Sequence, residues 1–184
     1  MDYSLNISSN EASLIQACMA GESWAQKRIY EEHHNAMLNV CMRYSSSQED
    51  ALDILHDGFL KVFQNIHQYQ SGTLIGAWIK RIMINTAIDF YRKEKRRFTS
   101  DLEDAKTVSV SSVNPIHNLA IEEVMKAIHQ LSPMYRSVFN LFVIEGLSHK
   151  EISETLHITE STSRSNLVKA RLKLKEILGQ DEEE

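Results

Sequence analysis

Three sets of side chains in this sequence have the types and spacing to do chemistry. Between Trp78 and Arg97 aromatic and cationic residues interleave, as Trp78, Lys80, Arg81, Phe90, Tyr91, Arg92, Lys93, Lys95, Arg96 and Arg97. In such a series the cations hold phosphates and the rings receive unstacked bases. A plainer reading stands beside it: a basic helix end that favours the helix dipole, with Trp78 as core. Further on, Thr162, Arg164, Ser165, Asn166, Val168, Lys169 and Arg171 crowd one stretch. Arginine reads guanine edges through paired hydrogen bonds, while hydroxyls and lysine hold phosphates. The plainer reading here is a solvated surface helix. The third set, Asp53, His56 and Asp57, places two carboxylates one helical turn apart, either as solvent-facing decoration or as a dock for a basic partner.

None of these sets is a catalytic constellation. The neighbours His33 and His34 point about 100° apart on a helix. The sequence holds no H-E-x-x-H, no G-x-S-x-G and no G-x-x-x-x-G-K-[ST]. No enzyme activity, metal, cofactor or small-molecule substrate is therefore expected. Cys18 and Cys41 lie outside any C-x-x-C spacing, so neither a zinc cage nor a disulfide scaffold is implied, and both are read as reduced thiols.

The elements that must position these residues are helical. Only 6 Gly and 2 Pro punctuate 184 residues, too few for the frequent turns of a β-sandwich or barrel. No window reaches the roughly 18 apolar residues of a membrane span, and Asp2, Asn6, Asn10 and Glu11 stand where a secretory signal needs a basic start and an apolar core. A cytoplasmic protein without direct membrane insertion is expected. Net charge is −5, but it is unevenly placed: residues 1–78 carry 4 basic and 9 acidic side chains, 79–97 carry 7 and 2, 160–178 carry 5 and 2, and the last six residues hold four acids. Two cationic islands thus sit in an acidic chain, which keeps a nucleic-acid partner open.

Helical periodicity runs through Met37, Val40, Cys41 and Tyr44, then through Ala51, Leu55, Phe59, Val62, Phe63 and Ile66. Gly21 stops a first helix and Ser23 can cap a second; Ser45, Ser46 and Ser47 break the second from a third that starts near Gln48. A turn with Gly72 precedes a helix over about 73–97. Residues from Phe98 to Pro115 lose the apolar period and read as a linker. Beyond it, Ile116 to His129 forms a helix, and Ser132-Pro133 opens another that runs to about Glu145 and ends at Gly146. Ser148 and Glu151 have capping-box spacing for a short helix to about Leu156. Thr159 can cap the last, running to Leu178, with Leu167, Ala170, Leu174 and Ile177 on its inner face. A short helix, a tight turn and a longer cationic helix form a helix-turn-helix, whose second member enters a DNA major groove.

With this arrangement in hand, the chain resembles the bacterial extracytoplasmic-function (ECF) RNA polymerase sigma factors of the sigma-70 family, from about Glu11 to Leu178. EDALDILHDGFLKVFQNI resembles the segment that binds the polymerase clamp helices, with Asp53, His56 and Asp57 where the family usually has Asp, Gln and Glu. AWIKRIMINTAIDFYRKEKR resembles the tryptophan-asparagine-aspartate-arginine signature, matched by Trp78, Asn85, Asp89 and Arg92. The stretch from Leu131 to Leu178 resembles the region that binds the upstream promoter element. Three departures stand out: Ile75 where phenylalanine is frequent, Ser161 and Ser163 for glycine and valine, and Asn166 for arginine. The first two, Ile75 and the serine pair, imply adjusted packing and Asn166 implies altered DNA contacts.

The resemblance implies an all-α protein of two small helical domains joined by a flexible linker. Residues 1–97 would form a region 2-like domain that binds core polymerase and recognises and melts the downstream element. Residues 98–114 would be linker, 115–180 a region 4-like helix-turn-helix domain for the upstream element, and 181–184 an acidic tail. Tyr69, Trp78, Lys80, Arg81, Asn85, Arg92 and Lys93 would serve the downstream element, aided by the loop from Tyr69 to Thr73. Thr162, Arg164, Ser165, Asn166, Val168, Lys169 and Arg171 would serve the upstream one. The implied partners are core RNA polymerase, promoter DNA and an anti-sigma factor. The alternative is a one-component or response-type helix-turn-helix regulator that acts without joining core polymerase; a response regulator would begin with a βα receiver pattern, and no alternating strand pattern precedes Gln48.

Overall fold

The computed structural model describes residues 12–70, 72–98 and 119–179. The expected linker, apart from Phe98, and the acidic tail lie outside them. All regular structure among the described residues is helical: α1 over 12–19, α2 Ser23–Tyr44, α3 Gln48–Asn65 followed by a 3-10 turn at Ile66–Gln68, α4 Ile75–Phe98, α5 Leu119–His129, α6 Pro133–Phe139, a π-helical turn Asn140–Ile144, α7 His149–Leu156 and α8 Glu160–Ile177. Among the described residues two compact units result, one of 12–41 with the described part of 52–86, the other of Met42–Ala51 with 87–98 and 119–179.

In the first unit, Gly21 (φ 79°) reverses the chain after α1 at a backbone conformation that side-chain-bearing residues avoid. The cap of α2 lies one residue earlier than expected: the Glu22 carbonyl accepts from Ala25 N (3.0 Å) and Gln26 N (3.2 Å), so Ser23 is already helical. α3 starts at the expected place because Ser47 Oγ accepts from Asp50 N (3.1 Å). Its inner face, Ile54, Leu55, Phe59 and Val62, is buried with Ile79 and Met83 of α4 and Ala25, Ile29 and Met37 of α2. Each large apolar side chain removed from water contributes about 1.5–3 kcal/mol. The Tyr30 and Phe59 rings meet at 4.7 Å, joining α2 to α3. Cys18 and Cys41 are buried free thiols, and burial pushes the Cys18 thiol up.

Gly58 lets α3 and α4 approach. A Cβ at that position would lie 2.2 Å from Met83 Sδ and 3.0 Å from its Cε, with Met83 itself fully enclosed. Overpacking of this kind costs about 1–3 kcal/mol, against up to about 1 kcal/mol that alanine gains over glycine in a helix. Gly58→Ala should therefore lower the urea midpoint of the first unit, and in a Met83→Ala background, where the space is vacated, the same substitution should cost less.

In the second unit, α5 and α8 share a core of Ala127, Ile128, Leu131, Ala170 and Leu174, with Tyr135, Phe139 and Ile177 against it. The helix after Pro133 does not continue as α-helix to Glu145. After Phe139 it widens into a π turn, closed by Glu145 N to Asn140 O (3.0 Å), and buried Asn140 donates its side-chain amide to the Arg43 carbonyl (2.7 Å). Gly146 (φ 72°) then ends it as expected.

Arg136 is buried, and it spends its donors on carbonyls at helix ends: Ile128 (3.3 Å), His129 (2.6 Å) and Leu131 (3.0 Å) after α5, and Tyr44 (3.3 Å) and Ser45 after α2. A cation there satisfies orphan carbonyls and opposes the helix dipoles.

Burial, reinforced by the Arg136 guanidinium, holds the His129 imidazole below the ordinary histidine range. The unfolded chain therefore takes up this proton first as pH falls. The stability contribution is complete above the ordinary value of about 6.5 and declines as pH drops through it. Replacing His129 by glutamine should flatten the pH 5–7 part of the unfolding free-energy curve relative to the wild-type chain.

Candidate nucleic-acid interface

α3 and α4 each bury one side and expose the other. On α3 the side away from the core carries Asp53, His56 and Asp57, all exposed, together with Leu60 at 59% exposure. The three expected residues thus share one face, i to i+4, and Leu60 adds an apolar group one turn beyond His56. Leu60 was legible only as the one leucine of this helix out of step with the buried period.

Along α4 a rotation of about 100° per residue brings Trp78, Arg81, Asn85, Asp89 and Arg92 into one stripe. Arg81 and Asn85 are exposed, while Trp78, Asp89 and Arg92 are half-buried. Lys93 is exposed at the margin of the stripe, and Lys80, half-buried, lies roughly half a turn away from it. Interleaving in sequence therefore overstated how many cations share a face. Arg92 is engaged within its own unit, through Asp89 Oδ1 (3.4 Å) and through donation to the Thr155 carbonyl (2.7 Å).

The loop before α4 is built by Tyr69. Its ring is only 7% exposed and meets Trp78 edge-on at 5.7 Å, and its hydroxyl donates to the Thr73 carbonyl. Thr73 in turn donates its hydroxyl to the Gln70 carbonyl (2.9 Å), and Gly72 turns at φ 94°. Tyr69, expected to serve the downstream element, is largely buried, and its hydroxyl helps to shape the loop. Among the described loop residues the large apolar side chain presented to solvent is Leu74, 80% exposed.

The helix-turn-helix is built as its caps require. Ser148 Oγ accepts from Glu151 N while Glu151 Oε2 accepts from Ser148 N (2.8 Å) and from its hydroxyl (2.7 Å), completing the expected capping box. Those hydrogen bonds hold the Glu151 carboxyl below the usual range. His157 takes the left-handed conformation (φ 52°) in the turn, and Thr159 caps α8 by accepting from Thr162 N (3.1 Å).

On α8, Leu167, Ala170 and Leu174 face the core as expected. Thr162, Arg164, Ser165, Val168, Lys169 and Arg171 are exposed and Asn166 is half-buried. Arg164 bonds Glu160 at 2.8 Å across an exposed helix turn, a pairing worth a few tenths of a kcal/mol, or about 0.3–0.5, and readily exchanged. The Arg171 guanidinium stands 5.9 Å above the Phe142 ring.

The adjacent His33 and His34 have structural neighbours. His34 packs at a tilt against Tyr30 (5.1 Å) and bonds Asn35 (3.1 Å), whereas the His33 ring lies beside Gly76. Among the described residues no three His, Cys, Asp or Glu side chains gather as a metal site, and no helix is long and apolar enough to cross a membrane.

Comparison with known proteins places these faces in a family context. Residues 29–97 match the sigma-70 region 2 family and residues 121–174 match sigma-70 region 4. The chain is 31% identical over 179 residues to the ECF RNA polymerase sigma factor SigE of Mycolicibacterium smegmatis, a match covering 95% of this chain and 68% of that protein. It is 25% identical over 170 residues to the ECF RNA polymerase sigma factor SigM of Mycobacterium tuberculosis, covering 92% and 85%. The sigma factor RpoE of Bartonella quintana, solved in complex with the anti-sigma factor NepR, shares the fold with a TM-score of 0.60 at 22% identity, over 85% of this chain and 98% of that one.

Proposed function

The chain belongs to the ECF RNA polymerase sigma factors, and from that membership we propose how its exposed faces divide the work of directing core RNA polymerase to promoters. The observation that carries the reading is that each chemistry-bearing set lies on a helix whose opposite side is core: the acidic face of α3, the mixed stripe of α4 and the cationic outer side of α8. The helix-turn-helix regulator acting without core polymerase is not favoured, since the chain matches region 2 as well as region 4.

Asp53, His56, Asp57 and Leu60 dock on basic groups of the polymerase clamp. The carboxylates supply charge complementarity, His56 a hydrogen-bonding imidazole and Leu60 an apolar contact. The loop closed by Tyr69 and Thr73, with Leu74 at its edge, receives a base unstacked from the downstream element, while Trp78, Arg81, Asn85, Arg92 and Lys93 line the approach. α8 enters the major groove of the upstream element. Arg164, Ser165 and Val168 near its start meet base edges, and Thr162, Asn166, Lys169 and Arg171 meet bases or backbone.

On this reading the functional boundaries are 1–97, 98–114 and 115–180, which the family matches over 29–97 and 121–174 support. The factor works beside the polymerase in the cytoplasm, adds no covalent chemistry of its own, and takes an anti-sigma partner of the kind that holds its Bartonella relative.

Holoenzyme assembly tests the assignment. Asp53→Lys with Asp57→Lys places like charges against the clamp, at a cost of several kcal/mol. That variant should keep its helical circular dichroism and no longer co-purify with core polymerase; co-purification at wild-type level would move the dock elsewhere. Asn85→Ala should co-purify normally and show a weaker permanganate-reactive bubble at the promoter, whereas an unchanged bubble would remove Asn85 from the melting stripe.

A further inference from the structure

The region 4 unit contains a polar contact that the division of labour above does not use. Ser163, the fourth residue of α8, is fully buried, and its Oγ lies 2.9 Å from Nδ1 of His149, the first residue of α7. Either atom can donate, according to the imidazole tautomer. The imidazole in turn stacks on Phe142, in the π turn, at 4.6 Å and 23°. Eight residues beyond Ser163, Arg171 of the same helix stands over that Phe142 ring. α8 is thus tied at two points, more than two turns apart, to one assembly of Phe142 and His149. The Ser148–Glu151 box fixes the backbone from which His149 projects.

Two anchors along one side of a helix determine its rotation about its own axis. Rotation decides which side chains face outward, since Arg164 and Ser165 follow Ser163 by about 100° and 200°. Such a hydrogen bond adds little net stability, but leaving the fully buried Ser163 hydroxyl unpaired is costly, so the bond selects one arrangement over its neighbours more than it stabilises the fold. Serine here replaces an apolar position of the pattern, so the constraint comes with this sequence.

We infer that the His149–Ser163 hydrogen bond, seated on the Phe142 ring, sets the rotation of α8 and so selects which of its side chains read the upstream promoter element. His149 and Ser163 are positioning residues; neither touches DNA. The inference rests on the reading of α8 as the upstream-element helix, and the experiment separates the two.

Holoenzyme assembled from core polymerase and the full chain is challenged with a promoter library randomised in the upstream element, and the transcribed sequences are counted. Arg164→Ala reports whether α8 reads bases at all. His149→Phe keeps a ring on Phe142 and loses the hydrogen bond. His149→Asn keeps a hydrogen-bonding side chain and loses the ring. Ser163→Ala breaks the same bond from the other partner with a helix-favouring residue, which keeps the test decisive should His149→Phe fail to fold.

His149→Phe and Ser163→Ala should change relative base preference by about three- to tenfold at positions that Arg164→Ala also affects, with co-purification on core polymerase unchanged and His149→Asn shifting the preference less than His149→Phe. If Arg164→Ala alters the preference while His149→Phe and Ser163→Ala select the wild-type sequence with wild-type stringency, the positioning role is overturned and the reading of α8 stands. A shift by His149→Asn as large as that by His149→Phe overturns the hydrogen bond as the cause. If Arg164→Ala changes nothing, the reading of α8 falls, and this inference with it.

Discussion

The close approach of α3 and α4, permitted by the missing side chain at Gly58 and filled by Met83, is the constraint on which the first unit depends. Because the two helices share one core, the side of each that cannot enter it is fixed. α3 is left with Asp53, His56, Asp57 and Leu60 outside, and α4 with Trp78, Arg81 and Asn85 along an outer stripe. The proposed polymerase dock and the proposed DNA-melting stripe thus ride on the same packed pair. Close-packed interiors transmit small changes of volume, so a methyl group at residue 58 bears on both surfaces without touching either.

The charge distribution follows the same division. A net charge of −5 is poor equipment for binding DNA alone, since affinity for the phosphate backbone comes largely from neutralising cations. An acidic chain can still act at promoters if its acids face the polymerase, its few cations are concentrated on α4 and α8, and the polymerase supplies the remaining affinity. Two modest DNA contacts carried by one complex then reinforce each other through effective concentration, without either being strong by itself.

Much of this was legible in the sequence because the signals were local. The Ser148–Glu151 spacing, Thr159 before the last helix, Gly21 and Gly146 at their turns and the apolar period of α3 each rest on contacts within a few residues, and each is present. What escaped the sequence depends on tertiary neighbours. The burial of Tyr69 beside Trp78 comes only with the fold, Lys80 lies with the other cations in sequence but away from their stripe on the helix, and the π turn at Asn140–Ile144 accompanies a buried amide that reaches the Arg43 carbonyl. Ser163 shows the same limit from the other side: its departure from the family pattern was visible, but its partner, fourteen positions earlier, was not.

The central claim is that this chain confers promoter choice on a polymerase that lacks it. Purified core RNA polymerase, alone and with the full chain, is supplied with fragmented DNA from the source genome and nucleotides, and the 5′ ends of the transcripts are mapped. The account predicts discrete start sites that arise only when the chain is present and share paired upstream and downstream elements. Transcripts whose ends are equally scattered with and without the chain, from a preparation in which the chain co-purifies with core, would contradict it.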